Sequence, residues 1–368
     1  MNSSATAESR LVSVAISNRR DMLRGVAATT VGLGLGSHLT SGAVARQTDP
    51  GPTGIQPYGD YPLTIVDPDY FVPRRFQDRV LLITGAAQGT AAGGIADPAY
   101  RMSIGAATAI RAAREGAKVA CVDIKRDGLA ATVDTITAEG FTAIAIEADV
   151  TSTADADRMV AETVSAFGSL DLALNAAGVM DGTDPRLPVD FAQTQDLLPA
   201  PVGEATDEYW DRVMATNITG IFKSLRAEMN QLVSQSRGGA VVNIGSIAGT
   251  TGLNGNSAYV ASKHAVTGIT LNTALDYAPY GIRVNSVNMA QTDTPMVYRA
   301  QEFVKWAQAN RGGGMGGYKT MSVLQLMNPR HPGSTPWEQA AIILFLLSDD
   351  ASNLTGCVMH TDGGWTSY

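Results

Sequence analysis

The sequence predicts an α/β protein whose core is a doubly wound parallel sheet, built as a single domain with inserted loops. From residue 79 onward, short apolar runs typical of buried strands alternate with longer segments of helical spacing. A glycine-rich turn follows the first apolar run, and small or polar motifs follow the later ones. In such a fold the carboxyl ends of the strands share one edge of the sheet, where ligands bind.

Composition and charge limit the classes of protein to be considered. The chain has 368 residues, of which 45% are hydrophobic and 17% charged, as is typical of a globular protein. A net charge of −8 argues against nucleic-acid binding. Cys121 and Cys357 each lie in a strand-like apolar run, which favours two buried free thiols over a disulfide. The four histidines have no metal-ligand spacing, so no metal centre is expected.

Residues 1–45 resemble a twin-arginine export signal. Arg19 and Arg20 precede an uncharged stretch, 25–45, which is too weakly apolar for a comfortable membrane span. It ends in Ala43-Val44-Ala45, the small-residue pattern of a cleavage site. We therefore expect a periplasmic or otherwise exported protein. A disordered tail with a chance arginine pair, an uncleaved membrane anchor and a cytoplasmic location are the alternatives.

Residues 46–77 are predicted to form an extended, irregular segment ahead of the folded domain, 78–368. They contain six prolines, which cannot continue a helix. The interleaved tyrosines, phenylalanine and aliphatic residues favour a path along apolar surface, either of this chain or of a neighbouring subunit. A simple connector is the alternative.

The first strand and its glycine turn predict a phosphate-binding site. The strand-like run VLLITG is followed by GAAQG, and a helix should begin directly after such a turn. However, Asp97-Pro98 would break that helix, and helical spacing begins only at Ile104. We therefore interpret Thr90–Ser103 as a loop inserted into a Rossmann fold. The functional glycines are then Gly85, Gly89 and Gly105.

Asp123 follows the second predicted strand, Lys118–Val122, and lies 24 residues beyond Gly85 when the insertion is not counted. Dinucleotide-binding folds place the acid that binds the adenine ribose about 20 residues after the glycines. Its carboxylate would accept hydrogen bonds from the 2′-hydroxyl and repel a 2′-phosphate, which favours NAD over NADP. Lys125 and Arg126 could soften that preference, and a helix-capping role for Asp123 is the alternative.

Ser246, Tyr259 and Lys263 form the candidate catalytic group. Ser246 follows a predicted strand, 240–244, while Tyr259 and Lys263 lie one turn apart on a predicted helix, 258–271. A phenol titrates near pH ~10 and is a poor base at neutral pH. An ammonium one turn away would lower the pKa of the phenol, and the serine hydroxyl would hold the reacting oxygen. The alternative is a chance pairing of Tyr and Lys on a solvated helix.

Two further strands are followed by motifs that suit a ligand. Strand-like runs at 142–147 and 171–174 precede the motifs ADV and NAAG, and small residues there let a flat ligand approach the backbone. A long loop at about 180–205 follows. Asn217 then lies within a helix predicted at 208–231, where an asparagine is mildly unfavourable unless it serves a site.

Together these motifs resemble the short-chain dehydrogenase/reductase family over about Phe76–Gly364. The matching pieces are TGAAQG…IG, ADV, NAAG, ATNITG, GSIAG, YVASK, VNSVN and the terminal DGG. The resemblance implies hydride transfer between NAD(H) and an alcohol or ketone. Tyr259 would be the acid/base, Lys263 would lower its pKa and bind the nicotinamide ribose, and Ser246 would position the substrate oxygen. Asn217 would order a water that extends the proton relay.

The resemblance also implies which residues contact the cofactor. Asp149 would contact the adenine, and Thr294 would hold the carboxamide. The full set is Gly85, Gln88, Gly89, Gly105, Asp123, Asp149, Val150, Asn175, Gly178, Tyr259, Lys263 and Thr294. The chain departs from the family pattern at Met289-Ala290, where Pro-Gly is usual, and in the insertions 90–103 and about 180–205.

Residues 295–332 lie where this family keeps its substrate lid. They are rich in Met, Val, Leu and aromatic residues, and the run RGGGMGG supplies flexibility. An apolar lid favours an apolar secondary alcohol or ketone, although an amphipathic helix that merely packs on the body fits the pattern equally well.

The leading hypothesis is an exported, NAD-dependent oxidoreductase that acts on the CH–OH group of an apolar secondary alcohol by a Ser-Tyr-Lys mechanism. Because an exported enzyme has no soluble cofactor pool, we expect it to retain its dinucleotide tightly, with loop 90–103 slowing release, and to use an electron acceptor. The resemblance implies a homo-tetramer or homo-dimer. The alternatives are a cytoplasmic NADPH-linked 3-oxoacyl reductase and a non-catalytic dinucleotide-binding protein.

Overall fold

The computed structural model of the protein describes residues 66–89, 102–311 and 333–367. These residues form seven strands, which are β1 Val80–Thr84, β2 Lys118–Asp123, β3 Ala143–Glu147, β4 Leu172–Asn175, β5 Gly239–Ile244, β6 Ile282–Met289 and β7 Val358–Thr361. The strands pair in the order β3-β2-β1-β4-β5-β6-β7, and every neighbouring pair is parallel. The chain reverses its winding direction between β1 and β4, which leaves a crevice at the carboxyl ends of these two strands.

Helices cover both faces of the sheet. They are α1 Ile104–Arg114, α2 Arg126–Ala138, α3 Thr153–Phe167, α4 Asp207–Met214, α5 Ile221–Gln235, α6 Ser257–Tyr277, α7 Pro295–Asn310 and α8 Pro336–Leu347. A six-residue π-helical turn, Ala215–Gly220, joins α4 to α5. None of the helices in the described part of the chain is long and apolar enough to cross a membrane.

The strands are apolar throughout because each face of the sheet is buried. Side chains of a strand alternate between the two faces. In β1, Leu81 and Ile83 pack into one buried cluster with α1, α2 and α8, whereas Leu82 packs into another with α3, α5 and α6. The predicted doubly wound parallel sheet is therefore confirmed.

Most predicted elements agree with the structure to within one or two residues. The larger differences lie in the second half, where α6 continues to Tyr277 and not to residue 271. The single helix predicted at 208–231 is interrupted by the π-helical turn. The long loop at about 180–205 is confirmed, with only a short 3₁₀ turn, Gln195–Leu197, among its described residues.

The last residues of the proline-rich segment, ahead of the predicted domain boundary at residue 78, contact the body of the domain. Phe76 is buried in the core, and its backbone N–H donates to the Glu115 carbonyl at 2.9 Å. Arg75 forms an ion pair with the buried Glu115 carboxylate at 2.9 Å. Tyr70 and Phe71 are 56% and 38% exposed, and the Arg111 guanidinium lies 5.2 Å from the centroid of the Tyr70 ring.

Several predictions fall outside the described residues. These are the export signal at 1–45, the proline-rich residues up to 65, most of the insertion at 90–103 and the lid beyond residue 311. Cys121 and Cys357 are both free thiols, as predicted. Only Cys121 is buried, because Cys357 precedes the edge strand β7 and stays partly exposed.

Candidate active site

A cavity of about 440 Å³ runs along the carboxyl edge of the sheet. One end is lined by Asp123 at the end of β2, and the other contains Ser246, Tyr259 and Lys263. Among the described residues, no group of three or more His, Cys, Asp or Glu side chains could hold a metal ion. Its lining residues extend from the end of β2 to the end of β6, so the cavity is elongated. A dinucleotide and a small substrate together require a site of this shape.

The glycine turn closes tightly around the first strand end. Gly85 has φ +72°, and a Cβ there would lie 2.7 Å from the backbone of Ala176 and Ala177. A Cβ on Gly105 would lie only 2.2 Å from the Gly85 carbonyl oxygen. Gly85 and Gly105 therefore lie in close contact although the insertion separates them in sequence. This contact supports the interpretation of Thr90 onward as an inserted loop.

The helix that follows the turn presents its N-terminus to the cavity. Ser103 caps α1, its Oγ accepting from the Ala106 N–H at 3.0 Å, so this residue belongs to the cap and not to the inserted loop. Ser103, Ile104 and Gly105 all line the cavity. The unpaired N–H groups and positive dipole end of a helix bind anions, so this position suits a pyrophosphate.

Asp123 braces the glycine turn and faces the cavity. Its Oδ2 accepts from the Ala87 N–H at 2.9 Å, and its Oδ1 accepts from the Lys125 N–H at 2.9 Å. The N-cap of α2 is Lys125, so Asp123 does not cap that helix. The carboxylate keeps further lone pairs for the hydroxyls of a ribose.

Gln88 and Gly89 do not line the described part of the cavity, and their contact with the cofactor stays a prediction. The Gln88 amide turns toward α2, where Nε2 donates to the Ala131 carbonyl and to the Thr135 hydroxyl, each at 3.2 Å. Gly128 allows the Gln88 backbone to approach α2 this closely, because a Cβ at position 128 would lie 2.4 Å from the Gln88 carbonyl oxygen. The predictions missed Gly128, whose only signal is a glycine in the first turn of a helix.

Four further predicted cofactor residues do line the cavity. They are Asp149, Val150, Gly178 and Thr294. The Asp149 carboxylate accepts from the Thr151 N–H at 2.8 Å, which holds the turn after β3. Thr294 caps α7, its Oγ1 accepting from the Val297 N–H at 3.3 Å. Each motif after a strand therefore reaches the crevice that the topology creates.

Asn175 does not line the cavity, and its contact with the cofactor stays a prediction. Its side chain points to the face of the sheet covered by α5, where Nδ2 donates to Glu228 at 3.0 Å and to Asn243 at 3.1 Å. Asn175 and Asn243 are register partners in β4 and β5, which places them side by side. Burial raises the pKa of the Glu228 carboxyl to about 7, and the hydrogen bond from Asn175 opposes that shift.

The three catalytic candidates meet at the substrate end of the cavity. Ser246 follows β5, and its Oγ accepts from the Ala248 N–H at 3.1 Å. Tyr259 lies in the first turn of α6 and packs in one buried cluster with Tyr209. The predictions missed Tyr209, although Tyr209 shares an apolar helix face with Val213. Burial raises the pKa of Tyr259, and a hydrogen bond with Ser246 offsets part of this shift.

Lys263 lies one turn after Tyr259, as predicted. Its Nζ donates to the Ile244 carbonyl at 2.8 Å and lies 5.7 Å from the centroid of the Tyr259 ring. Burial lowers the pKa of Lys263 to about 8. The lowering of the Tyr259 pKa by the Lys263 ammonium stays a prediction.

Asn217 lies in the π-helical turn between α4 and α5, a feature that often marks functional sites. Its Oδ1 accepts from the Val179 N–H at 2.8 Å, and its Nδ2 donates to the Val179 carbonyl at 2.8 Å and to Ser262 at 3.1 Å. The side chain thus clamps the backbone after Gly178 and does not itself line the cavity. Its role in ordering a water stays a prediction.

This fold and site are those of a dinucleotide-dependent oxidoreductase. A family model described as "Enoyl-(Acyl carrier protein) reductase" matches residues 98–366. The chain belongs to the short-chain dehydrogenase/reductase family. Its relatives act on alcohol or ketone groups, so this protein is an oxidoreductase of that kind.

Similar proteins cover most of the chain. It is 34% identical to the 3beta-hydroxysteroid dehydrogenase of Mediterraneibacter gnavus, over 81% of this chain and 98% of that protein. It is 34% identical to the cyclohexanol dehydrogenase of Acinetobacter sp., over 80% of this chain and 97% of that protein. The crystal structure of NAD⁺-bound xylitol dehydrogenase is similar with a TM-score of 0.61 and 30% identity, over 78% of this chain and 99% of that one.

Proposed function

We propose that the protein is an NAD-dependent dehydrogenase or reductase of an apolar, cyclic secondary alcohol or ketone. The observation that carries this proposal is the placement of Ser246 and Tyr259 at an end of the cavity walled by methionine and proline side chains. That wall includes Met180, Met289, Pro295 and Met296. Methionine adapts its shape to irregular apolar surfaces, which suits a ring system. Support comes from the steroid and cyclohexanol dehydrogenases among its relatives.

The chain's own residues hold and move one proton. In the oxidation direction the Tyr259 oxygen removes the hydroxyl proton of the alcohol, and in reduction it returns that proton to the ketone oxygen. The Ser246 hydroxyl holds the same substrate oxygen by a hydrogen bond. The Lys263 ammonium favours the phenolate during the transfer. Because burial lowers the pKa of Lys263 to about 8, a fraction of this side chain is uncharged at neutral pH. NAD, when bound, supplies the hydride acceptor.

The preference for NAD over NADP is supported by Asp123, whose carboxylate lies where it would repel a 2′-phosphate. Lys125 also lines this end of the cavity and is the residue that could weaken the preference. Comparing initial rates with the two dinucleotides at equal concentration tests this point. Equal or greater rates with NADP would reject it.

We further propose that the protein is exported with its dinucleotide already bound. The support is the Arg19-Arg20 pair and the Ala43-Val44-Ala45 pattern of the leader. Cell fractionation of the full chain beside an Arg19→Lys, Arg20→Lys variant tests the route. Absence of dinucleotide after gentle purification, measured in the denatured supernatant, would count against retention. An electron acceptor is then the required second partner.

A homo-oligomer is supported by apolar side chains that α6 leaves exposed. Leu271 and Leu275 lie one turn apart and are 43% and 77% exposed, which is unusual for a face in permanent contact with water. Light scattering coupled to gel filtration measures the state directly. A monomer at micromolar concentration would reject the proposal.

The experiment that tests the central function is a screen of alcohols with NAD and an artificial electron acceptor. The panel contains cyclohexanol, a 3β-hydroxysteroid, an acyclic secondary alcohol and a 3-hydroxyacyl thioester. We expect the cyclic alcohols to give the highest kcat/KM. Turnover only of the thioester, and better with NADP, would instead indicate an acyl reductase.

A further inference from the structure

We propose that Asp181 and Arg299 are positioning residues that fix the roof over the substrate end of the cavity and so set which alcohols fit. The roof consists of segment 179–183, which follows β4, and the first turns of α7. This inference rests on the proposed function, because it assigns the part of the site that selects the substrate. Neither residue was singled out by the sequence, since 118 positions separate them.

The two elements of the roof are joined by a bidentate ion pair. The Arg299 Nε donates to the Asp181 Oδ2 at 2.8 Å, and the Arg299 Nη2 donates to the Asp181 Oδ1 at 3.2 Å. Thr183 adds two more donors to the same oxygen, its hydroxyl at 2.5 Å and its backbone N–H at 3.0 Å. The Arg299 Nη2 also contacts the Thr183 hydroxyl. Bidentate pairs of this kind fix geometry as well as contributing energy.

The pair lies immediately behind the walls that a substrate would touch. Asp181 lines the cavity and is next in sequence to Met180, which also lines it. On the other side, Met296 and Val297 line the cavity within one turn of Arg299 on α7. The side chains of Asp181 and Arg299 are 14% and 25% exposed, so water screens them only partly.

A second contact joins the long loop to α7 farther along that helix. Phe191, from the long loop, packs on Phe303 and Trp306 with ring centroids 5.7 and 6.0 Å apart. This aromatic cluster also contains Leu198 and Ala307, and none of its residues lines the cavity. Loss of the ion pair should therefore release only the cavity end of the roof, while α7 stays docked through the aromatic cluster.

The charge of Asp181 explains why the pair should affect substrate selection. A carboxylate at the wall of an apolar pocket disfavours an apolar ligand unless its charge is compensated. Arg299 supplies that compensation. Removing the arginine alone would leave an uncompensated charge beside the substrate, whereas removing both charges would restore a neutral wall.

The test compares Arg299→Met, Asp181→Asn and the double variant with wild type. We expect Arg299→Met to raise the KM for cyclohexanol and a 3β-hydroxysteroid about tenfold, with kcat and the Kd for NAD within about twofold. The double variant should recover most of that loss. A matched control is Glu302→Gln, which breaks the exposed pair with Lys305 on the same helix. A control effect as large as that of Arg299→Met, or a double variant no better than the single one, would overturn the proposal.

Hydrogen–deuterium exchange tests the positioning role without a substrate. Arg299→Met should increase exchange in 179–183 and in the first turn of α7 but not around Trp306. Unchanged exchange in 179–183 would overturn the positioning role even if no alcohol is oxidised. Failure of wild type to oxidise any alcohol, with the exchange result as expected, would reject the proposed function and leave the roof assignment supported.

Discussion

Glu228 provides a quantitative test of how the sheet beneath the site is built. Its carboxyl group is fully buried on α5, where one oxygen accepts from Asn175 at 3.0 Å. The other oxygen has no hydrogen-bond partner among the described residues. Because burial disfavours the charged form, the pKa of this group rises from 4.5 to about 7. The isosteric change Glu228→Gln removes the titration and keeps the shape.

The sign and size of the effect follow from this pKa. A carboxyl whose pKa is raised on folding binds more protons when folded than when unfolded between pH 4.5 and about 7. Stability is therefore lost as pH rises through that window and is constant above it. At about 1.36 kcal/mol for each pKa unit, wild type should lose about 3 kcal/mol relative to Glu228→Gln between about pH 5 and about pH 8.

The assay is urea unfolding followed by circular dichroism, at fixed protein concentration and at both pH values. We expect the two proteins to be similar at the lower pH and the glutamine variant to be clearly more stable at the higher one. Glu139→Gln is the control, because hydrogen bonding to Arg114 lowers the pKa of Glu139 and its contribution is constant above the unfolded pKa. Parallel pH dependence of wild type and Glu228→Gln would refute the reasoning.

Three further predictions concern the site. Gly105→Val places a side chain where even a Cβ would lie 2.2 Å from the Gly85 carbonyl oxygen. Calorimetry should therefore show NAD affinity reduced at least ~10-fold. Unchanged affinity would contradict the role of these glycines in cofactor binding. Asp123→Ser should raise the ratio of kcat/KM with NADP to that with NAD at least ~10-fold, and a constant ratio would contradict its ribose role. Because burial raises the pKa of Tyr259, kcat/KM for oxidation should increase with pH from about 6, close to tenfold per unit on the acid limb. A flat profile would show that the phenol does not limit the reaction.

The features that sequence alone could predict are those that depend on local pattern. The alternation of buried strands and helices specifies the doubly wound sheet, since each type has its own period. The glycine turn could be recognised across its insertion because Gly105 had to lie next to Gly85. Tyr259 and Lys263 were one helical turn apart in any case, so their proximity required only that the helix form.

The features that could not be predicted depend on which way a side chain faces and how deeply it is buried. Asn175 was predicted to line the cofactor site, but its side chain faces α5. There it forms hydrogen bonds with its register partner Asn243 and with the helix residue Glu228. The pKa of Tyr259 depends on burial, which a helical spacing does not report. The Asp181–Arg299 pair joins a loop to a helix distant in sequence, and no local pattern connects them.

The central claim is that the phenol of Tyr259 transfers the proton in a cavity shared with NAD. The most direct measurement is a comparison of Tyr259→Phe with Tyr277→Phe, a tyrosine at the far end of the same helix, in NAD affinity and in turnover of the best alcohol. We predict that Tyr259→Phe binds NAD within about twofold of wild type and loses at least ~10²-fold in kcat, while Tyr277→Phe keeps both. Turnover by Tyr259→Phe near the wild-type rate would contradict the account.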